Sequence, residues 1–233
     1  MSSFDRLDSE PVLATVERLE QRVAARFPER GLRRVAGDLA VLAADVADGT
    51  GTIRGRLRLV RVVERALTVL VVVGTTAVLA FAFHDPGSVT RNGSAEWVGL
   101  IESTINDLVF AAIAIFFLHA LPARLERGHL LGLLHRLRSV AHVIDMHQLT
   151  KDPERLRPDF VRTSESVEPA LDRSQMEHYL DYCSELLSLV GKVAALCAEE
   201  SRDPLVLETV SDIETLTTSM SRKIWQKISL LPD

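Results

Sequence analysis

The chain has 233 residues, of which 25% are charged and 47% apolar, with a formal net charge of −5. That length is about one and a half typical domains and predicts one domain with an appendage. The mild negative charge argues against nucleic acid as a partner, because phosphate binding requires a basic face. The basic residues are nearly all Arg, a composition typical of a GC-rich bacterial genome.

Two amphipathic segments come first and predict N-terminal cytosolic helices over 1–52. Apolar residues recur there at helical spacings of three and four. They are Val12, Val16, Leu19, Val23 and Phe27, then Leu32, Val35, Leu39, Leu42 and Val46. Pro28 and Gly31 separate the two predicted helices, and Gly49 and Gly51 predict the end of the second. No short apolar stretch follows a basic start, so we expect no signal peptide.

Two long apolar runs predict a transmembrane helical hairpin over 53–122, with spans at about 66–84 and 97–121. The first run carries no charged residue, and about 20 such residues cross the ~30 Å hydrocarbon layer of a bilayer. Trp97 begins the second run and suits a headgroup position. Pro122 predicts a kink at its inner boundary. A soluble bundle with a buried hairpin is the alternative.

Arginines flank both runs on one side of the predicted membrane. They are Arg54, Arg56, Arg58, Arg61, Arg65, Arg124 and Arg127. The short loop between the runs carries one basic residue, Arg91. The positive-inside bias therefore predicts a multi-pass protein of the bacterial inner (plasma) membrane, with both termini cytosolic. The same arginines form a basic collar that would contact anionic lipids of the bilayer, or they serve only to set the topology.

The remaining residues, 123–233, predict a C-terminal cytosolic helical domain. The second transmembrane helix is expected to continue to about Gln148, and Asp203 with Pro204 predicts another helix start. Ser174 and Glu177 fit the S-x-x-E capping box. Two apolar stripes follow, which predict either a helical hairpin that buries them or an interface with another copy. Their members include Tyr179, Cys183, Leu186, Val190, Val193, Ile213, Met220 and Ile224.

The second run also carries a polar face that is compatible with a pore. Six residues on or beside one side of the helix define it: Glu102, Asn106, Asp107, Phe110, Ile113 and Phe117. If several copies formed a ring, carboxylates would lie at the outer mouth and Phe side chains would form a dry constriction. Alternatively, Glu102 lies in the headgroup layer on an amphipathic lead-in helix, where a carboxylate needs no further role.

Other chemistry finds little support in the sequence. Cys183 and Cys197 fit no zinc spacing and are expected to be reduced, buried thiols. Five of the seven histidines lie between His119 and His147, without the spacing of a metal site. Phosphate-binding loops and nucleophile motifs are missing as well. We therefore expect no catalytic residue, no metal and no cofactor, and a protein that is not an enzyme.

These patterns together predict an all-α, two-span membrane protein with a cytosolic helical bundle built from both termini. The function that we expect is that of a homo-oligomeric scaffold or signalling module, in which the cytosolic helices assemble the complex or bind a cytosolic protein partner. An oligomeric ion channel lined by the second span is the alternative, because two spans leave little room for a path within one copy.

Overall fold

The computed structural model describes residues 7–84, 94–166, 171–199 and 201–232, and these residues contain helices and no strand. The α-helices are α1 (Ser9–Arg26), α2 (Gly31–His84), α3 (Ser94–Leu149), α4 (Arg173–Glu199) and α5 (Pro204–Ile228), with a 3-10 helix at Pro153–Leu156 after α3. The predicted all-α fold is thereby confirmed.

Aspartate caps begin three of these helical segments. The carboxylate of Asp8 accepts a hydrogen bond from the backbone N–H of Glu10, and Asp152 does the same for Glu154. Asp203 accepts from the N–H of Leu205 at 3.0 Å, ahead of Pro204 in the first turn of α5. Each carboxylate satisfies an N–H group that has no partner within the helix.

Two predicted helix boundaries were wrong. Glycines Gly49 and Gly51 do not end a helix, because α2 runs without interruption through 54 residues. A single Gly costs a helix only about 1 kcal/mol relative to Ala. The capping box of α4 is formed by Asp172 and Gln175, whose side chains each accept the other's backbone N–H at 2.8 and 3.2 Å. It therefore lies two residues before the Ser174–Glu177 pair.

The chain divides into two compact units. The first unit, called the bundle below, comprises Met1–Gly51 and Arg127–Asp233, and the second comprises Thr52–Glu126. All five α-helices contribute to the core of the bundle, with apolar side chains exposed by 2% or less. Examples, one from each helix in chain order, are Leu19, Leu39, Leu137, Leu187 and Ile213. Burial of each such side chain contributes about 1.5–3 kcal/mol.

Polar contacts at the bundle surface fix the order of its helices. Arg22 of α1 donates two hydrogen bonds to Glu185 of α4, at 2.8 and 3.2 Å. Its guanidinium also lies 5.1 Å from the ring centroid of Tyr182. Arg136 of α3 pairs with Asp45 of α2 at 3.1 Å. These pairs are exposed, so they specify which helices are neighbours more than they stabilise the fold.

The second unit, called the apolar helix pair below, consists of the latter part of α2 and the first part of α3. His119 Nδ1 lies 2.7 Å from Glu64 Oε1 and joins the two helices. Along α2 the half-buried residues recur at helical spacing and mark the face that turns towards α3. They are Val60, Glu64, Thr68, Val71 and Thr75. Helix α3 continues through Pro122 without interruption.

Candidate functional site

The apolar helix pair exposes large apolar side chains along both of its helices. In α2, Leu70 is 67% exposed, and in α3 Phe110 and Phe116 are 69% and 67% exposed. Thirteen further apolar side chains from residue 62 to residue 125 are also exposed: Val62, Val63, Leu67, Val69, Val72, Val73, Ile105, Leu108, Val109, Ile113, Phe117, Leu121 and Leu125. Exposed apolar side chains in this number are typical of a surface that contacts lipid or another protein.

One stretch within the described residues, Glu102–Leu156, contains a helix that is long and apolar enough to cross a membrane, and none of its apolar window is buried. This finding rests on length and composition. The first predicted span, 66–84, lies in α2, but the side chains of 78–79 and 81–84 are outside the described residues. The two-span hairpin therefore stays a prediction.

The six predicted pore residues are all exposed in the single chain. Glu102, Asn106, Phe110, Ile113 and Phe117 follow each other at spacings of three and four, so they share one helical face. The half-buried residues Thr104, Ala111 and Leu118 lie on the other side of α3, and Asp107 lies beside the exposed face. The polar and aromatic side chains thus point away from the side on which α3 approaches α2.

The polar contact between the two helices was not predicted from the sequence. Glu64 is 12% exposed, while its partner His119 remains 61% exposed. One turn along α2, the hydroxyl oxygen of Thr68 is buried without a hydrogen-bond partner. Spacing could have indicated the face of α2 but not the partner, because Glu64 and Thr68 are four residues apart and share one face with Val71 and Thr75. The pair fixes how the two helices are aligned.

The described arginines of the predicted basic collar lie in two different environments. Arg61, Arg65 and Arg124 are exposed, and the Arg124 guanidinium lies 6.0 Å from the Phe117 ring centroid. Arg127 belongs to the bundle, where its Nε lies 2.6 Å from a carboxylate oxygen of Asp203, the cap of α5. The side chains of Arg54, Arg56 and Arg58 lie outside the described residues.

The predicted interface stripe is used inside one chain. Its eight residues, which are Tyr179, Cys183, Leu186, Val190, Val193, Ile213, Met220 and Ile224, are all buried in the core of the bundle. Helices α4 and α5 therefore bury their own apolar stripes within one chain. Of the two predicted alternatives, a helical hairpin and an interface with another copy, this arrangement corresponds to the hairpin. A second copy could reach these side chains only if the bundle opened.

A polar hollow of about 250 Å³ lies between α4 and α5. Gly191 lines the hollow, and a methyl group there would lie 3.2 Å from the Thr217 hydroxyl, a tight contact. The Lys192 ammonium donates a hydrogen bond to the Ser188 hydroxyl at 3.0 Å.

The titratable groups of the bundle core are held in their neutral forms. Burial raises the pKa of both Cys183 and Cys197 to about 12. A thiol of that kind carries almost no thiolate, which is the reactive form and the metal ligand. In the part of the chain that the structure describes, no three His, Cys, Asp or Glu side chains are grouped as a metal site.

Comparison with protein-family models, with curated proteins and with solved structures gives no match for this chain.

Proposed function

We propose that the protein is a membrane-anchored scaffold or signalling module of the bacterial inner membrane. The observation that carries this proposal is the exposure of large apolar side chains along 62–125, whereas most of the apolar side chains of the bundle are buried. Water disfavours such a surface by about 25 cal/mol per Å² of apolar area, and a lipid environment removes that cost. The apolar helix pair is the anchor, and the bundle is the part that acts in the cytosol.

The anchor crosses the membrane twice, with both termini on the cytosolic side. The Arg-rich flanks of the two apolar runs support this orientation. To test it, Ser88→Cys in the loop between the runs is compared with Val161→Cys, which lies in the bundle and is 84% exposed. In intact cells a membrane-impermeant maleimide should label only Ser88→Cys. Labelling of both or of Val161→Cys alone contradicts the orientation.

Copies of the protein assemble through surfaces other than the buried stripe. Trp225 of α5 is 57% exposed, and nearby Leu230 is 52% exposed. Exposed aromatic side chains of this kind are the usual anchors of protein interfaces. The mass of the complex in lipid nanodiscs tests the assembly. A complex of several copies that Trp225→Ala converts to single copies supports the scaffold, and a wild-type protein that is already a single copy contradicts it.

An ion-conducting pore lined by α3 is the second candidate. It is favoured by the shared exposed face of Glu102, Asn106 and Phe110, because carboxylates and amides are costly against lipid and usually face water or a partner. In proteoliposomes, Phe110→Ser should raise ion leak and Asp107→Asn should change ion selectivity. The control is Leu70→Ser, which changes an equally exposed residue on α2. Flux at background in both α3 variants excludes the pore.

The nanodisc mass also separates the two candidates. A monomer or a dimer offers too few helices to surround a channel, so it excludes the pore. A dimer still leaves the scaffold standing. A larger closed ring makes the flux measurements decisive.

A further inference from the structure

Helices α4 and α5 carry a polar seam beside their apolar stripes. Small or polar residues recur on each helix at spacings of three and four, so each set shares one face. The set of α4 is Ser184, Ser188 and Gly191, and that of α5 is Glu214, Thr217 and Ser221. The Ser184 and Ser221 hydroxyl oxygens lie 2.6 Å apart and join the two faces. Apolar packing alone does not require this seam, because a buried hydroxyl costs free energy unless it is hydrogen-bonded.

Part of the seam opens to solvent as the hollow of about 250 Å³. Gly191 and Thr217 are buried and form its floor, whereas Ser188, Lys192 and Glu214 are exposed and form its rim. Pockets for drug-sized ligands have volumes of about 300–1,000 Å³. This hollow is slightly smaller, so it has room for a molecule of only a few non-hydrogen atoms.

Opposite charges stand on the two helices that border the hollow. Lys192 belongs to α4 and Glu214 to α5, and both line the hollow. Among the residues that the structure describes, no ion pair joins these two side chains, so the space between them is not closed by their own contact. A ligand with a single charge would be attracted by one side chain and repelled by the other. A molecule that bears both charges is complementary to both.

Hydroxyl groups beside each charge have unused hydrogen-bonding capacity. The Ser188 hydroxyl accepts a hydrogen bond from the Lys192 ammonium at 3.0 Å and keeps its own O–H to donate. The Thr217 hydroxyl donates to the carbonyl oxygen of Glu214 at 3.2 Å and keeps its lone pairs to accept. The Lys192 side therefore offers donors to a carboxylate, and the Glu214 side offers acceptors to an ammonium.

We propose that this hollow binds a small zwitterion, such as a free α-amino acid. Its carboxylate lies towards Lys192 and Ser188, and its ammonium lies towards Glu214 and Thr217. Each charged group of the ligand then has an opposite charge and a hydroxyl as partners, and such charge-assisted hydrogen bonds are stronger than neutral ones. The site lies wholly within the bundle, so the proposal is independent of the membrane role.

The probe is glycine near neutral pH, titrated into the full-length protein in deuterated detergent and followed by NMR saturation transfer to its methylene protons. Acetate and methylammonium are the matched comparisons, because each carries only one of the two charges of glycine. Glycine should give a saturable signal, and the two comparison ions should bind several times more weakly. Absence of a saturable glycine signal overturns the site. Equal binding of all three probes contradicts recognition of a zwitterion.

Exchange of the two charges tests their roles. Lys192→Glu alone and Glu214→Lys alone each place two like charges at the hollow and should weaken glycine binding at least about tenfold. The double variant again has one charge of each sign and should recover most of the affinity, because a zwitterion can bind in the reversed orientation. A merely structural role of either side chain would not give this recovery. The proposal fails if the double variant binds no better than the single ones.

Controls and a change in the floor complete the test. Lys223→Glu and Glu208→Lys make the same exchanges at exposed positions of α5 outside the hollow and should leave the glycine affinity unchanged. Gly191→Ala adds a methyl group 3.2 Å from the Thr217 hydroxyl and should weaken binding several-fold with an unchanged circular dichroism spectrum. Wild-type affinity in Gly191→Ala, or an equal loss in the controls, would overturn the proposal.

Discussion

The two units of this chain expose their apolar side chains to different extents along the same two helices. In the bundle, Leu39 of α2 and Leu137 of α3 are fully buried. Further along the same two helices, Leu70 and Phe110 are 67% and 69% exposed. Helix α2 therefore changes from an inward to an outward apolar surface without a break. The two environments of a helix are therefore distinguished by how far around its axis the apolar residues extend.

The average composition conceals this contrast. An apolar content of 47% is ordinary for a soluble protein. In the bundle these residues are confined to stripes, and charged residues fill the intervening positions. In the apolar helix pair they surround the helix, which is the pattern expected where the surrounding medium is itself apolar.

Truncating a core residue should give the largest effect. Leu187→Ala in α4 should lower the free energy of unfolding of the bundle by about 2–5 kcal/mol, because it leaves a cavity at a position that is fully buried. The matched control Leu70→Ala removes the same atoms from an exposed position of the apolar helix pair. It should lower the stability far less in thermal unfolding followed by circular dichroism in detergent. Equal losses would contradict the contrast between the units.

Adding a charge at equally exposed positions should distinguish a residue that faces water from one that faces lipid. Val41 and Val69 are both valines of α2 and both 60% exposed, one in the bundle and one in the apolar helix pair. Val69→Arg should reduce membrane insertion modestly, since an arginine costs about 2.5–3.5 kcal/mol at the centre of a span and less at Val69, three residues inside the predicted start at 66. Val41→Arg should leave it unchanged. The fraction that resists alkaline carbonate extraction measures the difference, and equal tolerance of both changes would argue against lipid around Val69.

Cysteine reactivity gives a finer test of the same comparison. The native Cys183 and Cys197 should not react with a water-soluble maleimide in the folded protein, because at pH 8 only about one in ten thousand thiols of pKa near 12 is ionised. Val41→Cys should react rapidly. Val69→Cys should react slowly in nanodiscs despite its equal exposure in the chain, and quickly in denaturant. Rapid labelling of Val69→Cys in lipid contradicts a membrane environment.

Much of the fold could be predicted because it depends on local patterns. The stripes at Val12–Phe27 and Leu32–Val46 correctly indicated helices, and Asp203 with Pro204 marked a true helix start. The continuous α2 could not be predicted by the same means. Gly49 and Gly51 weaken a helix locally, but the residues on either side are helical and the cost of two glycines is small beside the burial of the stripe before them.

The helical spacing of residues could not predict contacts between residues that are far apart in sequence. The phenol of Tyr179 meets His147 across 32 residues, and Glu64 meets His119 across 55. His147 was one of several histidines without a motif, and nothing in the sequence around it identified Tyr179 as its neighbour. The six exposed positions of α3 were chosen from the helical period, which specifies the side of a helix but not the medium or partner that it faces.

One ion pair in each unit allows the smallest test of the comparison. Arg22 and Glu185 join α1 to α4 at the bundle surface, where both side chains are at least one-third exposed. A double-mutant cycle with Arg22→Ala and Glu185→Ala should give a coupling of about 0.2–1 kcal/mol, as is usual for exposed pairs. Salt should weaken the coupling, because mobile ions screen charges in water.

The pair of Glu64 and His119 should couple more strongly and respond less to salt. Glu64 is 12% exposed, against 34% for Glu185, so fewer mobile ions can approach it. The cycle of Glu64→Gln and His119→Gln is measured in nanodiscs at low and high salt, beside the Arg22 cycle in the same protein. A Glu64 coupling that is smaller, or that salt reduces equally, would place its carboxylate in water. The boundary between the two environments would then lie further along α2 than Glu64.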